Sequence, residues 1–307
     1  MTDTKDDLRR TDEQAASLLP EPEVSRRTFA LGTAAIGTAG FALAALPVEA
    51  QTVITTDTAG LAAGMAEIPA GDRAIPGYYA RPEGDGPFPV LLVVQEIFGI
   101  HEHIKDVCRR FAKRGYLAVA PDLYVRQGDP TRIADVQTLI STIVSKVPDA
   151  QVMADLDATV AWAGGQAKGD TGRVGVTGFC WGGRITWLYA AHSAQVKAGV
   201  AWYGALKRPP NPLHPRHPAD VAAELKAPVL GLYGSADTGI PVEQVDALRA
   251  ALKAASGTSK AAAGSEILLF KDAPHGFYAD YRPSFRPDVA AEGWRQCLAW
   301  FKANGVA

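Results

Sequence analysis

Three side chains able to carry out acyl transfer follow one another along this chain, each just after a run with strand character: Cys180, Asp237 and His275. The cysteine lies in Gly178-Phe179-Cys180-Trp181-Gly182, the G-x-S-x-G nucleophile elbow with sulfur in place of the hydroxyl oxygen. A thiol attacks a carbonyl well only after losing its proton. An imidazole can take that proton, and a carboxylate can hold the ring's tautomer and stabilise the imidazolium. Gly178 and Gly182 suit a strained turn in which neighbouring side chains would collide. The helix expected from Gly183 onward would present free N–H groups that favour a thiolate. Asp272 is nearer to His275 in sequence, but Asp237 has the strand-end position that a triad acid takes. Negative charge developing on a carbonyl oxygen would meet the backbone N–H of Trp181 and that of Ile97, in the loop after an earlier strand. Glu96 directly follows an apolar run and needs a partner if buried.

The elements that must position these residues alternate between strand and helix patterns. "PVLLVVQE" (89–96) is a continuous apolar run, as in a strand buried on both faces. It follows an early strand at 74–82. A helix over 103–115, with Ile104, Val107, Cys108 and Phe111 on one face and Gly115 at its C-cap, leads to the strand "YLAVAPDLY". Helical segments fill 131–165. After the strand "RVGVTGF" and the elbow helix come strands at 196–204, 227–234 and 266–270, and helices at 242–255 and 289–303. A proline-rich loop spans 208–218. Strands alternating with helices of this length predict a mainly parallel sheet covered on both faces, with active residues at the carboxyl ends of strands. The order nucleophile, acid, histidine is that of the α/β-hydrolase fold.

The stretches "QEIFGIHEHIKDVCRRFAKRGYLAVAPDLY", "VGVTGFCWGG", "GSAD" and "APHGF" resemble the dienelactone hydrolase family, in the same order, over most of residues 75–303. The resemblance implies hydrolysis of an ester or lactone through a Cys180-His275-Asp237 triad and a thioester, without a cofactor. It further implies that Glu96 pairs with the resting cysteine, that Arg126 binds a substrate carboxylate, and that Phe98, Trp202 and Tyr203 line an aromatic pocket. One position departs: Ala279 stands where the family carries a second carboxylate-binding arginine, with Arg282 three residues further on. That departure favours the alternative of a general carboxylesterase on neutral esters. A non-catalytic thiol sensor or binding protein is the alternative from another class.

The chain has 307 residues, 47% of them hydrophobic, and a net charge of −2, with no basic stripe to suggest nucleic acid or an anionic membrane. Cys108 and Cys297 fall on apolar helix faces and read as core residues, and the three cysteines form no disulfide framework. His101, His103, His214 and His217 are not spaced as metal ligands. Residues 1–50 differ from the rest. A charged leader precedes Ser25-Arg26-Arg27-Thr28-Phe29, an Ala/Gly/Leu run and Val48-Glu49-Ala50. This pattern predicts a cleavable export signal of the twin-arginine type, engaging the twin-arginine export machinery transiently. A mature periplasmic domain of residues 51–307 would remain, without stable membrane insertion.

Overall fold

The computed structural model describes residues 54–307; the expected signal, residues 1–50, lies outside the described residues. An eight-stranded sheet runs in the order β1 (Leu61–Ala70), β2 (Arg73–Pro82), β4 (Leu117–Pro121), β3 (Phe88–Val94), β5 (Gly169–Phe179), β6 (Val196–Trp202), β7 (Val229–Gly234), β8 (Glu266–Phe270). β1 and β2 pair antiparallel, β2 meets β4 antiparallel, and every other neighbouring pair is parallel. The helices are α1 (Glu102–Ala112), α2 (Val136–Thr142), α3 (Asp149–Gln166), α4 (Trp181–His192), α5 (Val242–Ala255), the short α6 (Lys260–Ala263) and α7 (Pro287–Ala303). The expected mainly parallel, doubly covered sheet is present.

Period-2 alternation sorts each central strand onto two cores. Leu91 and Val93 of β3 join Val107 and Phe111 of α1 and Phe301 of α7 on one face. Val90, Leu92 and Val94 join Val152 and Leu156 of α3 on the other. Cys108 and Cys297 are buried in the first core, and burial pushes both thiols up, away from reactivity. Helix α1 stops earlier than expected: Lys113 is its C-cap, and Gly115, at φ +96°, turns the chain into β4. Helix α4 begins at Trp181, two residues before the expected start, so the cysteine itself is the N-cap.

The sequence reading missed β1. Only Leu61, Ile68 and Ala70 of "LAAGMAEIPA" are buried, so this edge strand lacks the apolar alternation that marks the others. Its ladder with β2, from Leu61↔Pro82 to Ala70↔Arg73, supplies what its side chains do not.

Candidate active site

The elbow depends on close backbone approach. A Cβ on Gly178 would lie 2.2 Å from the Gly182 carbonyl oxygen, and one on Gly182 would lie 2.3 Å from that of Val94. Between them Cys180 adopts φ 55° and ψ −112°, a region L-residues rarely occupy. The turn is tied down by Cys180 N–H donating to the Trp202 carbonyl (3.0 Å) and by Gly183 N–H donating to the Cys180 carbonyl (3.0 Å). The side chain is 1% exposed. As first residue of α4, Trp181 has an N–H with no partner four residues back in the helix.

His275 and Asp237, from the loops after β8 and β7, meet in a buried pair with Nδ1 and Oδ2 2.7 Å apart. The other carboxylate oxygen, Oδ1, accepts from the N–H groups of Gly239 (2.9 Å) and Ile240 (3.2 Å), which fixes the rotamer. Burial opposes protonation of His275. The Asp237 carboxylate and the nearby Cys180 sulfur outweigh it and raise the ring well above its ordinary value. Cys180, Ile97 and Trp181 share one cavity of about 410 Å³, which Ile140 and Val144 also line. The 208–218 loop adds Arg208, Pro209, Asn211, His214 and His217 to its lining.

Glu96 is fully buried, but its partners are not the cysteine. Its carboxylate accepts from the Tyr281 hydroxyl and lies 3.6 Å from His101 Nε2 and 3.8 Å from Arg282 Nη2. Burial alone would raise this carboxyl; Arg282, then His101 and His103, hold it well below the ordinary range instead. Arg282 donates from Nε to the Tyr281 hydroxyl (3.1 Å), and its guanidinium lies 5.2 Å over the Phe98 ring. Phe98 therefore backs this charge cluster, and it does not line the cavity. His103 is held apart by Asp280 at 2.8 Å.

The structure does not bring Arg126 to the cavity. It is clamped by Asp155 (2.7 and 2.9 Å) and Asp72 (2.8 and 2.6 Å), all four Arg126 contacts going to protein carboxylates. The Trp202 ring is core, stacked on Phe179 and tilted against Tyr278, with its N–H donating to Thr177 Oγ1 (3.1 Å). What Trp202 gives the site is its carbonyl. Tyr203 is closer to the expectation: fully buried, its ring lies edge-on to His275 with centroids 5.1 Å apart. Tyr281, Arg184 and Arg208 are not among the site residues expected from the sequence, and His101 and His217 enter those expectations only as histidines not spaced as metal ligands. Arg184 had a usable signal, since one turn into the elbow helix it had to pack near the cavity.

A mainly parallel eight-stranded sheet, with a strained cysteine elbow after β5 and an Asp–His pair after β7 and β8, defines an α/β-hydrolase. The dienelactone hydrolase family profile matches residues 75–305. This chain belongs to that family. A protein of Methylorubrum extorquens named "Putative carboxymethylenebutenolidase" is 56% identical over 96% of this chain and 99% of its own length. One of the same name from Escherichia coli strain K12 is 52% identical over 87% of this chain and 96% of its own. A crystal structure described as a "Putative Dienelactone Hydrolase" from Klebsiella pneumoniae superposes with a TM-score of 0.76 at 53% identity, covering 79% of this chain and 98% of that one. The protein is thus a hydrolase of the dienelactone hydrolase type.

Proposed function

We propose that this protein hydrolyses ester or lactone bonds with Cys180 as nucleophile, His275 as proton carrier and Asp237 as its orienting carboxylate. The carrying observation is the strained Cys180 turn lining a cavity, beside a histidine already held by a buried carboxylate at 2.7 Å. Sγ attacks the carbonyl carbon with the thiol's proton carried on His275. The oxyanion is met by the N–H groups of Trp181 and Ile97. Collapse expels the alcohol or enolate, which receives the proton from His275, and leaves a thioester on Cys180. Water, deprotonated by His275, attacks the thioester; the acid departs and the proton returns to sulfur. These steps need no cofactor.

With Arg126 clamped by Asp72 and Asp155, and apolar walls at Ile97, Ile140 and Val144, the cavity favours esters and lactones with an apolar body over a doubly clamped carboxylate. Turnover of 4-nitrophenyl esters and unsaturated lactones by purified protein tests the reading. Cys180→Ala is expected to lose about a thousandfold or more in kcat. Undiminished turnover by that variant would overturn it. The site of action we propose is the periplasm, reached through the Arg26-Arg27 signal; lysine at both positions should hold the precursor in the cytoplasm, and normal periplasmic accumulation would refute this.

A further inference from the structure

The elbow helix carries a second polar device that these steps do not use. Arg184 is buried, and its guanidinium is committed on three sides. Nη1 and Nη2 donate to Asp149 Oδ1 and Oδ2, each at 2.7 Å, and Nη2 also donates to the Arg216 carbonyl at 2.7 Å. The third side, Nε, faces His217 Nδ1 at 3.0 Å. A guanidinium only donates, so Nδ1 accepts and carries no proton. Burial and the adjacent Arg184 charge lower the ring to about 4, so near neutral pH it is uncharged and its single proton sits on Nε2. The backbone N–H of His217 donates to Asp220 Oδ2 (2.9 Å), which anchors the residue at the start of the 218–224 turn.

His217 Nε2 is buried and has no hydrogen-bond partner among the described residues, yet the ring, only 3% exposed, lines the Cys180 cavity. A buried donor without an acceptor is a cost that a fold retains only where something meets it. The cavity's other walls combine the hydrocarbon of Ile97, Ile140, Val144 and Trp181 with the polar side chains of Ser145, Asn211 and His214.

We propose that His217 Nε2–H is a specificity-determining donor, preset by Arg184, that selects esters or lactones bearing an acceptor oxygen remote from the scissile carbonyl. This rests on the ester-hydrolysis reading above and adds the substrate class. The ring is held as a neutral donor, so the matching group is a carbonyl, ether or hydroxyl oxygen and does not have to be a carboxylate.

The test compares 4-nitrophenyl hexanoate with its 4-oxo and 5-oxo counterparts, which add one carbonyl oxygen to the same chain. For the wild type, kcat/KM for one oxo ester should exceed that of the parent by about tenfold, the worth of one neutral hydrogen bond. His217→Asn keeps an acceptor for Arg184 but withdraws the cavity donor, and should bring the ratio near one. His217→Gln reaches further and can restore an N–H, so the ratio should recover in part. A wild-type ratio near one, or a ratio unchanged in His217→Asn, would overturn the proposal. Calorimetric Kd values for the corresponding methyl esters on Cys180→Ala and Cys180→Ala/His217→Asn give the same comparison without turnover. Discrimination in these Kd values, together with a wild type that hydrolyses none of the esters, would refute the hydrolase reading and leave the donor's role in binding standing.

Discussion

If the Cys180 conformation is imposed by function, relieving it should stabilise the fold while abolishing chemistry. At φ 55° and ψ −112° an L-residue sits where glycine is at ease, and such a position costs about 1–3 kcal/mol. Cys180→Ala keeps that cost, because alanine has the same Cβ. Cys180→Gly removes it. At an ordinary position the alanine-to-glycine step loses about 0.5–1 kcal/mol; here the two terms oppose, and the strain term is the larger. The glycine variant should therefore be the more stable by about 1 kcal/mol, or about 2–4 °C in Tm for a domain of this size. The assay is urea unfolding of both inactive variants side by side, with equal m-values required before the midpoints are compared. Cys180→Gly falling half a kcal/mol or more below Cys180→Ala, as at any unstrained site, would refute the strain argument. It would also weaken the view that the surrounding glycines exist to hold the sulfur in place.

Asp237→Asn should keep the Gly239 and Ile240 hydrogen bonds through Oδ1 and turn an amide N–H toward His275, forcing the proton onto the ring nitrogen that must face sulfur. A fall of about 10³–10⁴-fold in kcat with Tm nearly unchanged is expected, and kcat within tenfold of wild type would show that this carboxylate does not set the tautomer. Arg126→Ala leaves the buried Asp155 without its main counter-charge, so stability should drop by about 3 kcal/mol while kcat/KM for neutral esters holds; lost turnover in a fully folded variant would return Arg126 to the site. The folded pKa of Glu96 lies below its unfolded value, so its contribution is present above about pH 4.3, the unfolded glutamate value, and fades as pH falls through the folded value. Glu96→Gln should flatten the acid limb of stability against pH below about pH 4, and unfolding profiles of the same slope as wild type would contradict the pairing with Arg282.

What could be read from sequence was what neighbouring residues decide among themselves. Helix α5, with Val245, Leu248 and Leu252 on one face, and strand β8 fall on the expected residues, because each pattern is complete within its own element. The elbow was legible for the same reason: Gly178, Cys180 and Gly182 act on one another within a single turn. Glu96 shows where that logic stops. Its position at the end of the apolar run that forms β3 predicts a buried carboxylate with a partner, which it is. The hydroxyl that partners it, on Tyr281, is 185 residues away, and no spacing rule connects the two. The Arg184–Asp149 bidentate pair is separated by 35 residues and was equally invisible.

The two arginines nearest the family's anion-binding positions have the same fate by different routes. Arg126 is where the resemblance puts a carboxylate-binding arginine, yet Asp155 and Asp72 engage all three of its nitrogens. Arg282, displaced by three residues from the Ala279 position, lies over Phe98 and Tyr281 with Glu96 as counter-ion. A carboxylate substrate would have to displace a protein carboxylate at either one, exchanging one ion pair for another and gaining little. Most of the polar groups that do border the Cys180 cavity come instead from the 208–218 loop and the elbow helix: Arg208, Asn211, His214, His217 and Arg184, with Ser145 from the 144–146 turn. On the proposed reading, recognition falls to this proline-rich segment while the strand-end loops supply the chemistry. Substrate choice and reaction chemistry are then held by separate parts of the fold.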